Sequence, residues 1–167
     1  RKIGEAQEMI SYVEFYFPLL VGNPQNTLEG AREYQHSGDN ALCIFEASKA
    51  KAEASIIATS IGLEQSRITE AIDEKLKVAS RVISRQQSDG IFPIVGYSYY
   101  EYAKSLQQSD PYSALLYSEY ALELSNIQMY FKKEGFDLPR IRWDYIFPLI
   151  LGLSIGALGM LLYRRRK

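Results

Sequence analysis

Apolar positions recur along this chain at intervals of three and four, the spacing that gathers side chains on one face of an α-helix. Ala6, Ile10, Val13 and Phe17 form the first such stripe, which Pro18 ends. Asn26 followed by Glu29 predicts a short second helix to about His36. Gly38-Asp39 opens a long third one running to Gly62, with Cys43, Ala47, Ala50, Ala54, Ile57 and Ile61 in one stripe. Most of those side chains are small, so a neighbouring helix can approach closely. Ile68, Ile72, Leu76, Ala79 and Ile83 make the next stripe, ending near Gly90, and Val95, Tyr99, Tyr102 and Leu106 make another after Pro93. Asp110-Pro111 combines an N-cap with a proline at the first helical position. Ala114, Tyr117, Ala121 and Leu124 follow, and Lys132, Lys133 and Gly135 suit the negative end of a helix.

No stretch alternates with period two between hairpin turns. The expected fold is therefore all-α: antiparallel helical hairpins, as a bundle or a tetratricopeptide-like stack, over residues 1–139. A faint internal echo supports repetition. Ala41-Leu42 precedes Glu46 as Ala114-Leu115 precedes Glu119, an offset of 73 residues, but the Trp-Leu-Gly-Tyr signature of tetratricopeptide units is missing.

The pattern changes completely at residue 145. Tyr145 to Tyr163 is an uncharged run of 19 residues. At ~1.5 Å per residue it makes a helix about 28 Å long, close to the hydrocarbon thickness of a bilayer. Trp143 and Tyr145 stand at one end and Tyr163 at the other, where amphipathic rings prefer the headgroup level. Arg164, Arg165, Arg166 and Lys167 follow directly. We expect a juxtamembrane linker at 140–144, a transmembrane helix at 145–163 and a basic cytoplasmic tail at 164–167. Lys132, Lys133, Arg140 and Arg142 precede the run. The denser cation cluster touching its C-terminal end sets the orientation, with the N-terminal domain extracytoplasmic on a single-pass cell-membrane protein. Export needs a signal, so the start at Arg1-Lys2 suggests a C-terminal piece of a longer precursor; the alternative, without such a precursor, is a tail-anchored protein with its domain in the cytosol. Gly152 and Gly156 form a G-x-x-x-G face that permits helix dimerisation, and hence a homo-oligomer.

Charge and composition narrow the chemistry. The chain carries 19 basic and 20 acidic residues, and 13 of the basic against 19 of the acidic ones fall in residues 1–139. That balance argues against nucleic-acid binding by phosphate neutralisation. One Cys and one His exclude an intrachain disulfide framework and a His/Cys zinc site, and no cofactor is expected. Ser48 and Lys51 match the S-x-x-K of penicillin-recognising enzymes, yet the S-D-N and K-T-G elements are missing; both residues read as the outer face of a helix. Tyr100 and Lys104 match the Tyr-x-x-x-Lys of short-chain dehydrogenases without a βαβ pattern or glycine-rich turn ahead of them. Glu46, Glu53, Glu70 and Glu74 lack the Glu-x-x-His of a di-metal bundle. His36 reads as a solvated cap residue and Cys43 as a small buried hydrophobe.

The remaining signal is aromatic. Tyr97, Tyr99, Tyr100, Tyr102, Tyr112, Tyr117 and Tyr120 fall within 24 residues. Spaced around two helices, some belong to the core with hydroxyls at its rim and others are candidates for binding a polypeptide partner, because Tyr buries much area with few rotors.

Three stretches carry a resemblance: ALCIFEASKAKAEASIIATSIG at 41–62, GYSYYEYAKSLQQSDPYSALLYSEYALEL at 96–124, and the basic-ended apolar run. Together they resemble the C-terminal region of archaeal membrane-anchored Lon-like serine proteases, over roughly residues 38–167. In that group a secreted protease domain with a Ser–Lys dyad precedes a helical region and one anchor. The resemblance implies a non-catalytic accessory domain and anchor, partnered by an upstream protease domain and by the bilayer. No Ser or Lys of this chain maps onto the dyad. The competing expectation is an independent membrane-held helical scaffold that recruits partners through its Tyr-rich face.

Overall fold

Capping chemistry marks two helix starts and two helix ends of this chain. In the computed structural model, which describes residues 1–61 and 63–131, the order is α1 (Lys2–Tyr16), α2 (Gly22–Ser37), α3 (Asn40–Ser60), α4 (Ile68–Ser88), α5 (Ile94–Leu106) and α6 (Pro111–Ser125). Short 3₁₀ turns occupy Pro18–Leu20, Gln65–Arg67 and Ile127–Tyr130. Asp39 accepts from the Leu42 amide at 3.0 Å and Asp110 from the Ser113 amide at 3.1 Å, so α3 and α6 start on equivalent Asp caps. Gly38 (φ 82°) and Gly90 (φ 80°) turn the chain left-handed after α2 and α4, a conformation that a Cβ would strain. No strand occurs among the described residues, so the fold is all-α.

Most helix ends fall within two or three residues of the sequence expectation. Two do not. The second helix starts at Gly22 rather than Asn26, because Pro18–Leu20 already turns the chain and Pro24 fits the first turn of a helix. The last described helix stops at Ser125 rather than near Lys132. There the Ser125 hydroxyl donates back to the Ala121 carbonyl, and the Asn126 side chain accepts from Gln86 across the α4 end at 2.9 Å. Such local side-chain bonds compete with the next helical turn.

The topology is two copies of one unit. In the first, α1 and α2 both pack on α3; in the second, α4 and α5 both pack on α6; and α3 packs on α6 between them. The repeat is visible in registration. Cys43, Ala47, Ala50 and Ala54 of α3 correspond, 71 residues on, to Ala114, Ser118, Ala121 and Ser125 of α6, and all eight are buried. Phe17-Pro18-Leu19-Leu20 in the α1–α2 corner corresponds to Phe92-Pro93-Ile94-Val95 in the α4–α5 corner. The 73-residue echo read from Ala41, Glu46, Ala114 and Glu119 is not this register, which the Asp39 and Asp110 caps set at 71 residues. The fold is a pair of three-helix units, not a stack of hairpins.

Each unit has its own core. Ala6, Ile10, Val13, Leu28, Ala31 and Ala47 lie in the first; Ile72, Leu76, Ala103, Ala114 and Leu115 lie in the second. Ala52, Tyr120 and Leu124 form the seam where α3 meets α6. One inferred stripe misleads. On α5, Val95 and Tyr102 are exposed, and the buried face is Gly96 and Ala103 instead. A Cβ built on Gly96 would lie 2.6 Å from the Ser125 Cα, so α5 and α6 approach too closely for large side chains between them. The rings are displaced to the rim.

Chain direction alternates from helix to helix, so six helices bring both ends of the domain to one side. Arg1 lies over the Tyr130 ring at 5.6 Å, and the Tyr130 hydroxyl donates to Glu5 at 2.8 Å. This side, with the α4–α5 corner, is the base; the α1–α2 corner is at the far end. Among the described residues no helix is long and apolar enough to cross a membrane. The run at 145–163, with Trp143, Gly152, Gly156 and the basic end, lies outside the described residues.

Candidate functional site

A groove of about 560 Å³ opens between α2, α3 and α6 on the half of the domain away from the base. Its walls are apolar, from Leu20, Pro24, Ile56, Ile57 and Leu116. Its polar centre is Glu53. The Tyr120 hydroxyl donates to one carboxylate oxygen at 2.8 Å and the Thr27 hydroxyl to the other at 2.9 Å. Burial and the adjacent carboxylate push the Tyr120 phenol far above its usual range, so it stays a hydrogen-bond donor. Two helices of the first unit, α2 and α3, and one of the second, α6, thus supply the three groups.

Tyr120 also belongs to the Tyr-rich hairpin of α5 and α6. Tyr99 stacks on Tyr117 at 5.8 Å and meets Tyr120 edge-on at 5.2 Å, and Tyr102 meets Tyr117 at 4.7 Å. Tyr97 sits between Phe92 and Tyr100. Exposure divides the seven. Tyr120 is buried, Tyr99, Tyr100 and Tyr117 are partly covered, and Tyr97, Tyr102 and Tyr112 are exposed. Of the exposed rings, Tyr102 rests on Tyr117 and Tyr97 on Phe92 and Tyr100, which limits the rotamer entropy these two lose when a partner covers them.

The residues that tempted a catalytic reading have structural partners. Ser48 is fully buried and donates to the Ile44 carbonyl at 2.8 Å. Lys51 pairs with Glu123 at 2.8 Å, and Lys2, itself 5% exposed, pairs with the other oxygen of Glu123 at 2.6 Å. Ser48 and Lys51 are therefore not on an outer face, as their spacing suggested: Ser48 is fully buried, and Lys51 pairs across to α6. Burial alone would lower the Lys51 pKa, but Glu123 and Glu5 outweigh it and hold the ammonium above its usual value. Burial likewise pushes Glu5 up, and the Tyr130 hydroxyl with Lys2 and Lys51 overrides that and holds it below the usual carboxylate range. The Tyr130 phenol, desolvated and bonded to Glu5, is pushed up to about 12. This network ties α1, α3 and α6 together at the base.

Lys104 pairs with Glu101 on its own helix and lies over the Tyr100 ring at 5.1 Å. Glu46 pairs with Lys49 and Glu70 with Arg67, each within its own helix or its first turn, so the four glutamates do not converge. Among the described residues no group of His, Cys, Asp or Glu could hold a metal ion. His36 is exposed at the end of α2, and Cys43 is buried on the small stripe, where burial raises its thiol pKa.

Sequence reasoning missed the groove, whose signal was thin: Thr27 and Glu53 are 26 residues apart and Tyr120 another 67 on. It also missed the α1–α2 corner, where Phe15 is 81% and Leu19 96% exposed. The run Tyr12 to Leu20 carries Phe15, Tyr16, Leu19 and Leu20, more apolar side chains than one helix face can bury. No protein-family profile, curated protein or solved structure matches this chain.

Proposed function

We propose that this chain is a non-catalytic, membrane-held helical domain that docks polypeptide segments. In this reading it serves as the accessory region of the Lon-like serine protease that residues 38–167 resemble. The observation that carries it is the division of the tyrosines: Tyr97, Tyr102 and Tyr112 of the α5–α6 hairpin are exposed, while Tyr120 of the same hairpin lines a groove in which it bonds Glu53. Exposed aromatic side chains next to a preformed groove are the usual anchors of protein recognition. The groove opens away from the base, where the chain leaves α6 toward the uncharged run at 145–163. In this reading the run at 145–163 spans the bilayer and the basic end at 164–167 faces the cytoplasm. Gly152 and Gly156 give such a span a face for pairing with a second copy.

Two measurements test the reading. The full chain in detergent micelles should bind a fluorescein-labelled unfolded casein. Tyr102→Ala and Tyr112→Ala should each weaken that binding about tenfold if they are anchors. Unchanged binding in both, with Tyr97→Ala also silent, would refute docking through this face. The reading frame upstream of Arg1 separates the partner assignments. A Lon-type domain with a Ser–Lys dyad supports the protease accessory role, and a start codon near Arg1 leaves an independent scaffold.

A further inference from the structure

The α4–α5 corner exposes Phe92 (46%), Ile94 (68%) and Val95 (39%), and none of these is needed by the core. It adjoins the point where the chain leaves the domain. Gly96 packs on Ser125 at the end of α6, Gln86 bonds Asn126, and Met129 and Phe131 beyond it are exposed as well. Charge on the neighbouring helix is sharply divided. The first half of α4 carries Glu70, Asp73 and Glu74. The half leading into the corner carries Lys77, Arg81 and Arg85, spaced by four, all exposed and with no ion pair among the described residues. Asp89, the α4 cap, is the acidic group at the corner itself.

Apolar side chains at a turn flanked by unpaired cations match a bilayer interface: the apolar groups enter the headgroup boundary and the cations meet anionic lipid. The chain beyond Phe131 points to the same occupant. Its first 13 residues carry Lys132, Lys133, Arg140 and Arg142 against Glu134, Asp137 and Asp144, with Trp143 near their end, and the uncharged run begins directly after them. That run opens with Phe147-Pro148-Leu149-Ile150, the same pattern as Phe92-Pro93-Ile94-Val95.

We infer that the Phe92–Val95 corner and the Lys77–Arg85 face form a second, peripheral membrane contact that seats the base of the domain on an anionic bilayer surface. The contact fixes the domain's tilt and turns the groove away from the lipid. It rests on the membrane-held reading above, and the experiment separates the two.

The test uses the full chain with Cys43→Ala, reconstituted in vesicles of phosphatidylcholine with anionic phosphatidylglycerol. Single cysteines at Ile94, at Leu19 and at Ser154 in the centre of the uncharged run carry an environment-sensitive fluorophore, read against a lipid-borne quencher; Val95 is a second corner site should the Ile94 variant lose its helical spectrum. The expected result is quenching at Ile94 and Ser154 and none at Leu19. Charge reversal at Lys77, Arg81 and Arg85 together, or omission of the anionic lipid, should abolish quenching at Ile94 and leave Ser154 unchanged. Quenching at Ser154 without quenching at the corner overturns the peripheral contact and keeps the anchor. Absence of quenching at Ser154 overturns the anchor, and Ile94 then decides surface docking by itself. A blue-shifted Ile94 label that the lipid quencher does not reach identifies a protein partner or second copy there and overturns the lipid assignment. Equal quenching at Leu19 and Ile94 overturns it too.

Discussion

Gly96→Ala is the sharpest probe of how the second unit holds together. A Cβ there would sit 2.3 Å from the Ser125 Oγ and 2.6 Å from both the Cα and the amide nitrogen of Ser125. The hydroxyl could rotate away, but the two backbone atoms belong to α6 and cannot. Restoring an ordinary carbon contact of about 3.6 Å means moving α5 and α6 apart by about 1 Å. Their shared interface includes Ala103, Ala114 and Leu115, all essentially without solvent exposure, so the separation loosens a packed layer rather than a single contact. Overpacking of this kind costs ~3 kcal/mol, at the upper end of the usual range because backbone must move. The better helix propensity of Ala offsets about 1 kcal/mol. The net loss is ~2 kcal/mol, or a fall in Tm of ~6–8 °C for a domain of this size. The assay is far-UV thermal melting of the full chain in detergent. Gly30→Ala is the matched control. Gly30 lies within α2, has no atom within 4 Å of a built Cβ and no positive φ, so propensity alone should raise Tm by ~3–4 °C. If Gly96→Ala matches Gly30→Ala, the close approach of α5 and α6 is wrong.

Three further expectations follow from the packing and the base network. Ala54→Leu adds three carbons to a fully buried position in the first core and should lower stability by ~1–3 kcal/mol in urea unfolding; a neutral result would mean that α3 has no close neighbour there. Glu123→Gln leaves Lys2 and Lys51 without their shared carboxylate and should cost ~2 kcal/mol by the same assay, less than a fully buried pair because Lys51 is partly exposed. Glu5 has a folded pKa below its ordinary 4.5, so its stabilisation is present above that value and is lost as pH falls through the folded pKa. Melting temperature should therefore drop on acidification below about pH 4.5, and Glu5→Gln should flatten that slope; an unchanged slope would exclude Glu5 as a contributor.

Helix content was legible from local rules because its causes are local. The α4 stripe Ile68, Ile72, Leu76, Ala79 and Ile83 is buried residue for residue, and the Asp39 and Asp110 caps start the helices they announce. Periodicity identifies a helix, but it does not rank its faces when two are apolar. On α5 the aromatic face outweighs the Gly96–Ala103 face in hydrophobicity, and the tertiary fold buries the smaller one because α6 comes too close for rings. Ser48 and Lys51 show the same limit for polar residues. A buried hydroxyl that bonds the Ile44 carbonyl and an ammonium paired with Glu123 look like surface residues until their partners are known. The groove was beyond reach for a stronger reason. Thr27, Glu53 and Tyr120 meet only because α3 serves as the shared wall of two three-helix units. The uncharged run at 145–163 and its basic end are the opposite case, since hydrophobic length and flanking charge are properties of sequence alone. What only tertiary structure decided is that both ends of the described helical domain lie on one side. Alternating helices bring Arg1 and Tyr130 together at the base, because an even number of antiparallel passes returns the chain to the side where it began.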